Sequence, residues 1–437
     1  MELLLHYVWK HRMYSPTSLT TTDGRRVEIL DPGQRNQGLG PDFMNAMIKI
    51  GGTTWLGNVE IHDKASDWHA HHHDKDPRYE NVILHVCSII DAQAITQKGN
   101  KLPQVKIEVP KAVSNNYRAL LGEDVFPPCH DIIPHINKLT LHSWMTALQI
   151  ERLEKKTEAI NRWVELNDKS WEAAFFTALA RGLGFGINSD AFEEWALHIR
   201  LLDVARHRDR PFQIEAIFMG QSGLLDIDCI PERYREQTLS DDYYQRLSSE
   251  YKFLAHKFRL TPMDGRKWKF QGTHPQNFPY IRLAQLVKLY CDNILNLSKM
   301  MECETIEEAH NLLKTRVTDY WQTHYTFGAE SAKSEKNLSK SSLDILVLNA
   351  TVPMLFAYGK FLRKQSLCDK ALDFLEKIKG ESNSIVKRWA ECGLEAKTAG
   401  GSQALIQLNR EYCAKKDCLR CRIGYEYLKR KETPTKD

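Results

Sequence analysis

The stretch that decides the fold runs from Gly40-Pro41-Asp42-Phe43 to Gly57-Asn58-Val59-Glu60-Ile61-His62. Phe43 to Ile50 and Thr54 to His62 are two short apolar-rich runs separated by Gly51-Gly52, the pattern of two strands joined by a tight turn. Side chains alternate along a strand, so Glu60 and His62 share one face while Val59 and Ile61 share the other. If Asp42 begins a strand that pairs antiparallel with the Glu60 strand, the two carboxylates meet at one edge of the sheet. Two carboxylates beside an imidazole outline a divalent-metal site, because hard cations such as magnesium and manganese take oxygen ligands.

Outward from this pair, Arg26 to Leu30 reads as a strand ended by the turn Asp31-Pro32-Gly33, so three runs form an antiparallel meander. Asn81 to Cys87 is almost continuously apolar and suits a strand buried on both faces, whereas Gln104 to Val109 alternates. Glu2 to Arg12 fits a short helix. From Leu139 to Leu166 the chain is long, charged and free of Pro and Gly, and helical patterning continues from there to about residue 414, including stretches over 279–300, 305–322 and 343–363. Ser331 to Ser342, rich in Ser and Lys, is the best candidate for a mobile loop. The expected architecture is α+β: a small mixed β-sheet domain over residues 1–136, followed by a large all-helical domain over residues 137–437.

Composition narrows the class without naming an activity. The chain has 437 residues, 42% hydrophobic and 27% charged, as in ordinary soluble globular proteins. A net charge of +4 permits a nucleic-acid partner without requiring one, and no protein partner is indicated. No run approaches the roughly 18 uninterrupted apolar residues of a membrane span, and Met1 to His6 lacks the basic leader of a signal peptide. Ten cysteines scattered over this length do not make a disulfide framework. A reducing, cytoplasmic location with no membrane contact is the expectation.

Beyond the third strand lies Ser66-Asp67-Trp68-His69-Ala70-His71-His72-His73-Asp74, a density of imidazoles and carboxylates suited to transition metals. In an extended segment His71 and His73 share a face and can join Glu60 and His62; His69 and His72 read as surface loop residues. Lys64 continues the Glu60 face and Lys106 lies on a later strand, so either can supply an ammonium. Asn36, in the Gln34 to Gly40 loop, can orient a ligand, and Asp67 can stand behind the metal ligands. His85, among apolar neighbours, reads as a core histidine. Near the C-terminus Cys413, Cys418 and Cys421 form a C-x4-C-x2-C arrangement that can share zinc or an iron–sulfur cluster, with Cys392 the candidate fourth ligand. The Gly-rich run Arg181 to Asn188 follows a helix and fits a helix C-cap better than a phosphate loop. Arg206, Arg208, Arg210 and the basic-aromatic stretch from Arg266 to Pro279 could touch a nucleic-acid backbone.

The order helix, meander, helix, buried strand, with Pro41-Asp42 before the second strand and Glu60-x-His62 on the third, resembles the PD-(D/E)XK nuclease superfamily. The resemblance implies a nuclease-like topology for about the first 110 residues, Asp42 and Glu60 as ligands of magnesium or manganese, and His62 where that superfamily places a lysine. A neutral imidazole there can accept a proton or ligate metal but supplies no fixed positive charge. It implies a metal-dependent phosphodiesterase acting on nucleic acid, with Asp42, Glu60 and His62 as catalytic residues. Taken together, Gly40-Pro41-Asp42-Phe43, Gly57 to His62, Asp67-Trp68 with its His-rich sequel, Ile83 to Val86, Gly182 to Gly186, Asn277-Phe278-Pro279 and Cys418 to Cys421 also resemble a family of uncharacterised bacterial proteins defined by a domain of unknown function. That second likeness implies no activity. A transition-metal hydrolase using the histidine cluster and a catalytically inactive interaction scaffold are the alternatives.

Overall fold

The computed structural model describes every residue except 1, 15–18, 37, 123–124, 293–295 and 431–437. The chain is α+β and divides into two compact units. Unit 1 comprises Met1–Trp144, Glu391–Leu394 and Leu408–Asp437; unit 2 comprises Met145–Ala390 and Glu395–Gln407. The sequence places one boundary after residue 136 and gives everything beyond it to a helical domain. Local patterning marks where helices begin, but it cannot show that the last segment returns to the N-terminal unit.

Unit 1 is built on the strands β1 (Val27–Asp31), β2 (Gln34–Arg35), β3 (Phe43–Ile50), β4 (Thr53–Lys64), β5 (Val82–Ile89) and β6 (Gln104–Lys106). The sheet order is β1-β3-β4-β5-β6, with β2 paired to β3. The first three main strands are the expected antiparallel meander, and the β4–β5 and β5–β6 pairs are parallel. Gln104 to Val109, read as one strand, holds strand geometry only through Lys106. Helix α1 (Glu2–Lys10) packs on β4 through a stripe that includes Leu4, Leu5, Val8 and Trp9.

Two local devices aim the strands at the site. Between Phe43↔Val59 and Ala46↔Gly57 the β3 strand holds one residue more than β4, and Asn45 takes a left-handed conformation with φ 57°. Such a bulge bends its strand and re-aims the residues before it, here Asp42. Gly57 lies where β4 meets the approach to β5: a Cβ there would stand 2.4 Å from Ile83 Cγ2 and 2.7 Å from Asn81 O. Glycine at that position lets the parallel pairing start, with Asn58 N–H donating to Asn81 O at 2.8 Å.

Unit 2 is helical apart from a small hairpin, His324–Thr326 with Ala329–Glu330. Its core is a continuous apolar cluster that includes Phe175, Trp195, Phe218, Tyr280 and Trp321. Several long helical readings are interrupted. The 305–322 stretch is two helices, Ile306–Leu313 and Asp319–Gln322; the 279–300 stretch is helical over Pro279–Cys291 and again from Leu297, with 293–295 outside the described residues. The 343–363 stretch is continuous through a π-turn over Val347–Thr351. Lys340–Leu362 is long and apolar enough to cross a membrane by length and composition alone, and two thirds of its most apolar window is buried in the fold (67%). The Ser331 to Ser342 segment, expected to be mobile, is anchored instead. Lys336 is buried, and its ammonium donates to Trp321 O and to Gln322 O at 2.8 Å, so a cation that reads as solvated locally is a tether. Leu183 ends its helix and Phe185 and Gly186 take positive φ, the C-cap and turn that the Gly-rich run suggests.

Candidate metal centre

Parallel register puts chemically active side chains in rows. Glu60 pairs with His85 and then Gln104, and His62 pairs with Cys87 and then Lys106, so all six lie on one face of the sheet. That face is covered by the segment after β4, where Trp68, Tyr79, Val82, Ala94 and Leu102 form a small core. The covering segment is not extended, as the sequence reading assumes. It is helix α2 (Asp67–Ala70), then a 3-10 turn over His73–Lys75, with His72 left-handed at φ 62° between them. His71 and His73 converge because the chain reverses at His72, not because they alternate along a strand.

The result is a cluster in which His62, His71 and His73 bring three ligand atoms within 4.8 Å of one another. His71 Nδ1 lies 3.2 Å from His62 Nε2. Glu60 Oε1 lies 3.2 Å from His73 Nε2 and 3.6 Å from His62 Nε2. Glu60 and His62 are 5% and 2% exposed, whereas His71 is exposed, so the cluster is walled on the sheet side and open to solvent on one side. Tyr79 stacks on His73 with ring centroids 3.8 Å apart and fixes its plane.

Asp42 reaches this group by reciprocal bonding. Its backbone N–H donates to Glu60 Oε2 at 3.0 Å, and its carboxylate accepts from Ile61 N–H at 3.0 Å. The loop before it is closed by Asn36, whose amide donates to Pro41 O at 3.1 Å and accepts from Gly38 N–H at 2.9 Å; Asn36 positions Asp42 and does not itself join the cluster. His6 on α1, buried, places Nε2 3.3 Å from Asp42 Oδ2. Glu2 feels the charges of both Asp42 and His71.

Electrostatics separates the two central carboxyls. Burial pushes Glu60 above the usual carboxylate range, and the neighbouring Asp42 charge adds to that against the pull of His73. Burial also penalises the Asp42 anion, but His6 and the Ile61 N–H outweigh it and hold that carboxyl below its ordinary value. Burial, then His85, His73 and His71, lower His62 to about 3, so at neutral pH it is an uncharged imidazole. Divergent proton affinities in neighbouring carboxyls are the arrangement used for acid and base roles.

Behind His62 stands His85, fully buried, with Nε2 2.9 Å from His62 Nδ1 and 3.3 Å from Cys87 Sγ. A ligating imidazole commonly donates its second N–H to an acceptor. The Gln104 amide is oriented by Ala94 N–H donating to its oxygen and by its own N–H donating to Ala92 O, which leaves that nitrogen facing His85 Nδ1 at 3.4 Å. His85 therefore carries its proton on Nε2 and donates to His62 Nδ1, the reverse of that arrangement, which leaves the metal-free His62 with its proton on Nε2, where a cation would have to displace it. His85 is both the core histidine that the sequence suggests and the support of the cluster.

The remaining expected residues lie elsewhere. Lys64 is exposed and its backbone N–H donates to Asp67 Oδ2 at 3.1 Å, so Asp67 shapes the turn into α2. Lys106 pairs with Glu108 at 2.7 Å. His69 contacts Gln93 O at 3.0 Å, and its Nδ1 lies 3.6 Å from Asp74. Cys392 donates its thiol to Phe126 O at 3.7 Å, while Cys413 ends the π-turn Leu408–Cys413, and Cys418 begins and Cys421 follows the 3-10 turn Cys418–Arg420. Sequence reasoning misses Glu2 and His6. The only local signal is two ionisable residues at i, i+4 on an otherwise apolar helix, and nothing in that spacing indicates Asp42 as the partner.

The family described as a protein of unknown function (DUF2851) matches residues 2–384, and the chain belongs to it. No curated protein matches the chain. No solved structure matches it either.

Proposed function

We propose that this DUF2851 chain is a metal-dependent hydrolase whose cation is held by His62, His71 and His73 with Glu60 beside it. The observation that carries the reading is the convergence of three imidazole ligand atoms within 4.8 Å, with a buried carboxylate oxygen 3.2 Å from one of them. Imidazole-rich sets favour zinc, manganese, iron or nickel over magnesium, which prefers carboxylate and water oxygens. Three protein ligands and an open side match a catalytic rather than a closed structural site. A bound cation would supply an acidified water. Glu60, with its raised proton affinity, is placed to take and return the proton, and Asp42 stays anionic beside His6.

The substrate reading is a phosphodiester of nucleic acid. Its support is the pair of bonds that hold Asp42 beside Glu60, Asp42 N–H to the Glu60 carboxylate and Ile61 N–H to the Asp42 carboxylate, at the end of an antiparallel pair that continues into parallel strands, the arrangement that the PD-(D/E)XK likeness implies. In that variant manganese, or magnesium, shares Asp42 and Glu60, and His62 stands in for the lysine. Metal content of the purified chain, with cleavage of DNA, RNA and a chromogenic phosphodiester in manganese and zinc, tests both. Stoichiometric metal lost in His62→Ala and His73→Ala, together with hydrolysis lost in Glu60→Gln, is expected. Failure of manganese, zinc, iron and nickel each to bind the intact protein, or binding indifferent to those substitutions, overturns the reading and leaves an interaction scaffold.

A further inference from the structure

Two segments set apart in the sequence, the Gly-rich run Arg181 to Asn188 and the basic-aromatic stretch Arg266 to Pro279, meet in the helical unit. The buried Asn188 side chain joins them: its amide donates to Lys269 O at 2.8 Å, and its oxygen accepts from Lys269 N–H at 2.8 Å. Arg282 belongs to the same meeting point. Phe185 of the Gly-rich run lies 4.5 Å from its guanidinium, which donates to the Asn277 side chain of the other stretch.

Arg282 is only 4% exposed, and a guanidinium taken out of water ordinarily faces a carboxylate, because an uncompensated buried charge is far costlier than a paired one. Among the described residues it faces none. Its Nη1 donates to Gln285 Oε1 at 2.8 Å and its Nη2 to Asn277 Oδ1, both neutral, and its Nε–H has no acceptor. Gln285 turns its own amide to Lys336 O at 2.6 Å, and Lys336 is a second buried cation, held by the carbonyls of Trp321 and Gln322. Burial pulls the Arg282 pKa down to about 10, with no neighbouring anion to offset it.

The guanidinium leans back over the start of its own helix, Pro279–Cys291, as helical side chains do, and reaches Asn277 ahead of it. That start is buried and uncapped. Phe278 at the N-cap makes no side-chain bond, the first bond of the helix is Arg282 N–H to Phe278 O at 3.2 Å, and the N–H groups of the buried residues Tyr280 and Ile281 find no partner among the described residues. Orphan first-turn N–H groups beside a forked cation are the donor set that recognises phosphate-type oxyanions. We propose that the start of this helix binds one compact oxyanion of the phosphate class, held by the Tyr280 and Ile281 N–H groups and the Nε edge of Arg282, with Asn277 and Phe185 setting the guanidinium plane. The burial of every donor suits free phosphate or the terminal phosphate of a small molecule; a nucleic-acid backbone needs donors open to solvent. The site lies within unit 2 and does not rest on the metal reading of unit 1.

The test titrates the full chain with inorganic phosphate, adenosine monophosphate and a short single-stranded DNA, against chloride of matched ionic strength. Phosphate about 100-fold above its Kd should raise the melting temperature by about 5 °C or more and move a buried arginine Nε–H resonance. Tighter binding of adenosine monophosphate than of phosphate assigns a phosphomonoester; equal or weaker binding assigns the free ion. Arg282→Lys keeps the charge but loses the fork, so phosphate affinity should fall by about 10-fold or more, while Arg266→Gln at an exposed position keeps it. That comparison also separates this site from phosphate held through a cation at the imidazole centre. Because Arg282 variants can misfold, the wild-type chain is decisive by itself: no melting shift beyond that of matched chloride, and no arginine resonance moved by phosphate or adenosine monophosphate, overturns the proposal. Binding of DNA alone, or phosphate affinity unchanged in a folded Arg282→Lys chain, overturns the assignment of a compact anion to this helix.

Discussion

Each unit buries a glutamate, and the two are built in opposite ways. Glu215 in the helical unit is 2% exposed and is met by fixed neutral donors: Tyr243 Oη at 2.6 Å and Trp321 Nε1 at 2.6 Å. Glu60 in the sheet unit is buried nearly as well, but it faces His62 and His73 and the charge of Asp42. The first carboxyl is satisfied within an apolar core and has nothing left to bind. The second shares its space with imidazoles whose ring nitrogens converge and whose open side reaches solvent at His71. Burial alone therefore does not mark a functional acid; the partners do, because neutral donors close a site while titratable ones leave it able to exchange protons or hold a cation.

Acid should separate the units most strongly. Burial comes first in lowering His11 to about 4, His62 to about 3 and His85 to about 4. For each, the unfolded chain binds more protons between these values and 6.5, so their contribution is complete above about pH 6.5 and is lost as pH falls through that window. At about 1.4 kcal/mol for each tenfold change in proton affinity, the three together amount to on the order of 10 kcal/mol by pH 4, less whatever solvent screens at the partly exposed His11. Glu215 has the opposite sign: burial raises it, so its contribution is present at low pH and is lost only as pH rises through its folded value. Segment-resolved hydrogen exchange should show β4 and β5 opening at pH 4.5 while Pro211–Gln221 stays protected; simultaneous opening breaks the contrast.

Glu215→Ala leaves two buried donors unpaired and should cost about 4 kcal/mol in denaturant unfolding, with metal content unchanged. A cost below about 1 kcal/mol, no more than an ordinary hydrogen bond, would mean that the helical carboxyl is not the structural member of the comparison. His73→Ala should do the reverse, lowering zinc affinity by about 100-fold or more, roughly 3 kcal/mol, in calorimetric titration while the metal-free melting temperature barely moves. The finest test is Gln104→Glu, which offers His85 Nδ1 an acceptor and so frees His62 Nε2 of its proton. Affinity for zinc should rise by about tenfold, as for carboxylates placed behind ligating histidines; a fall in affinity with intact folding would show that the His85 tautomer does not control the cluster.

Local sequence reaches some elements and stops short of others. Period-two burial and the Gly51-Gly52 turn make β3 and β4 legible, because strand faces are set by local alternation. The same alternation puts Glu60 and His62 on one face. Asp42 is readable as a strand start, but its re-aiming by the Asn45 bulge is not, since one extra residue on one strand is a property of the pairing. Lys336 reads as a solvated loop charge because only the folded chain shows the carbonyls that capture it.

The amino-acid order by itself determined the main strands of the N-terminal sheet, which residues could carry metal chemistry, and that the N-terminal region differs in kind from the helical remainder. Tertiary structure alone decided that His71 and His73 turn inward through a left-handed His72, that His6 backs Asp42, and that His85 stands behind His62. The physical reason is range. Alternation, turn chemistry and helical periodicity act over a few residues and are written locally, whereas a site is a meeting of side chains distant in sequence, fixed by register, bulges and chain reversals that the whole fold settles at once.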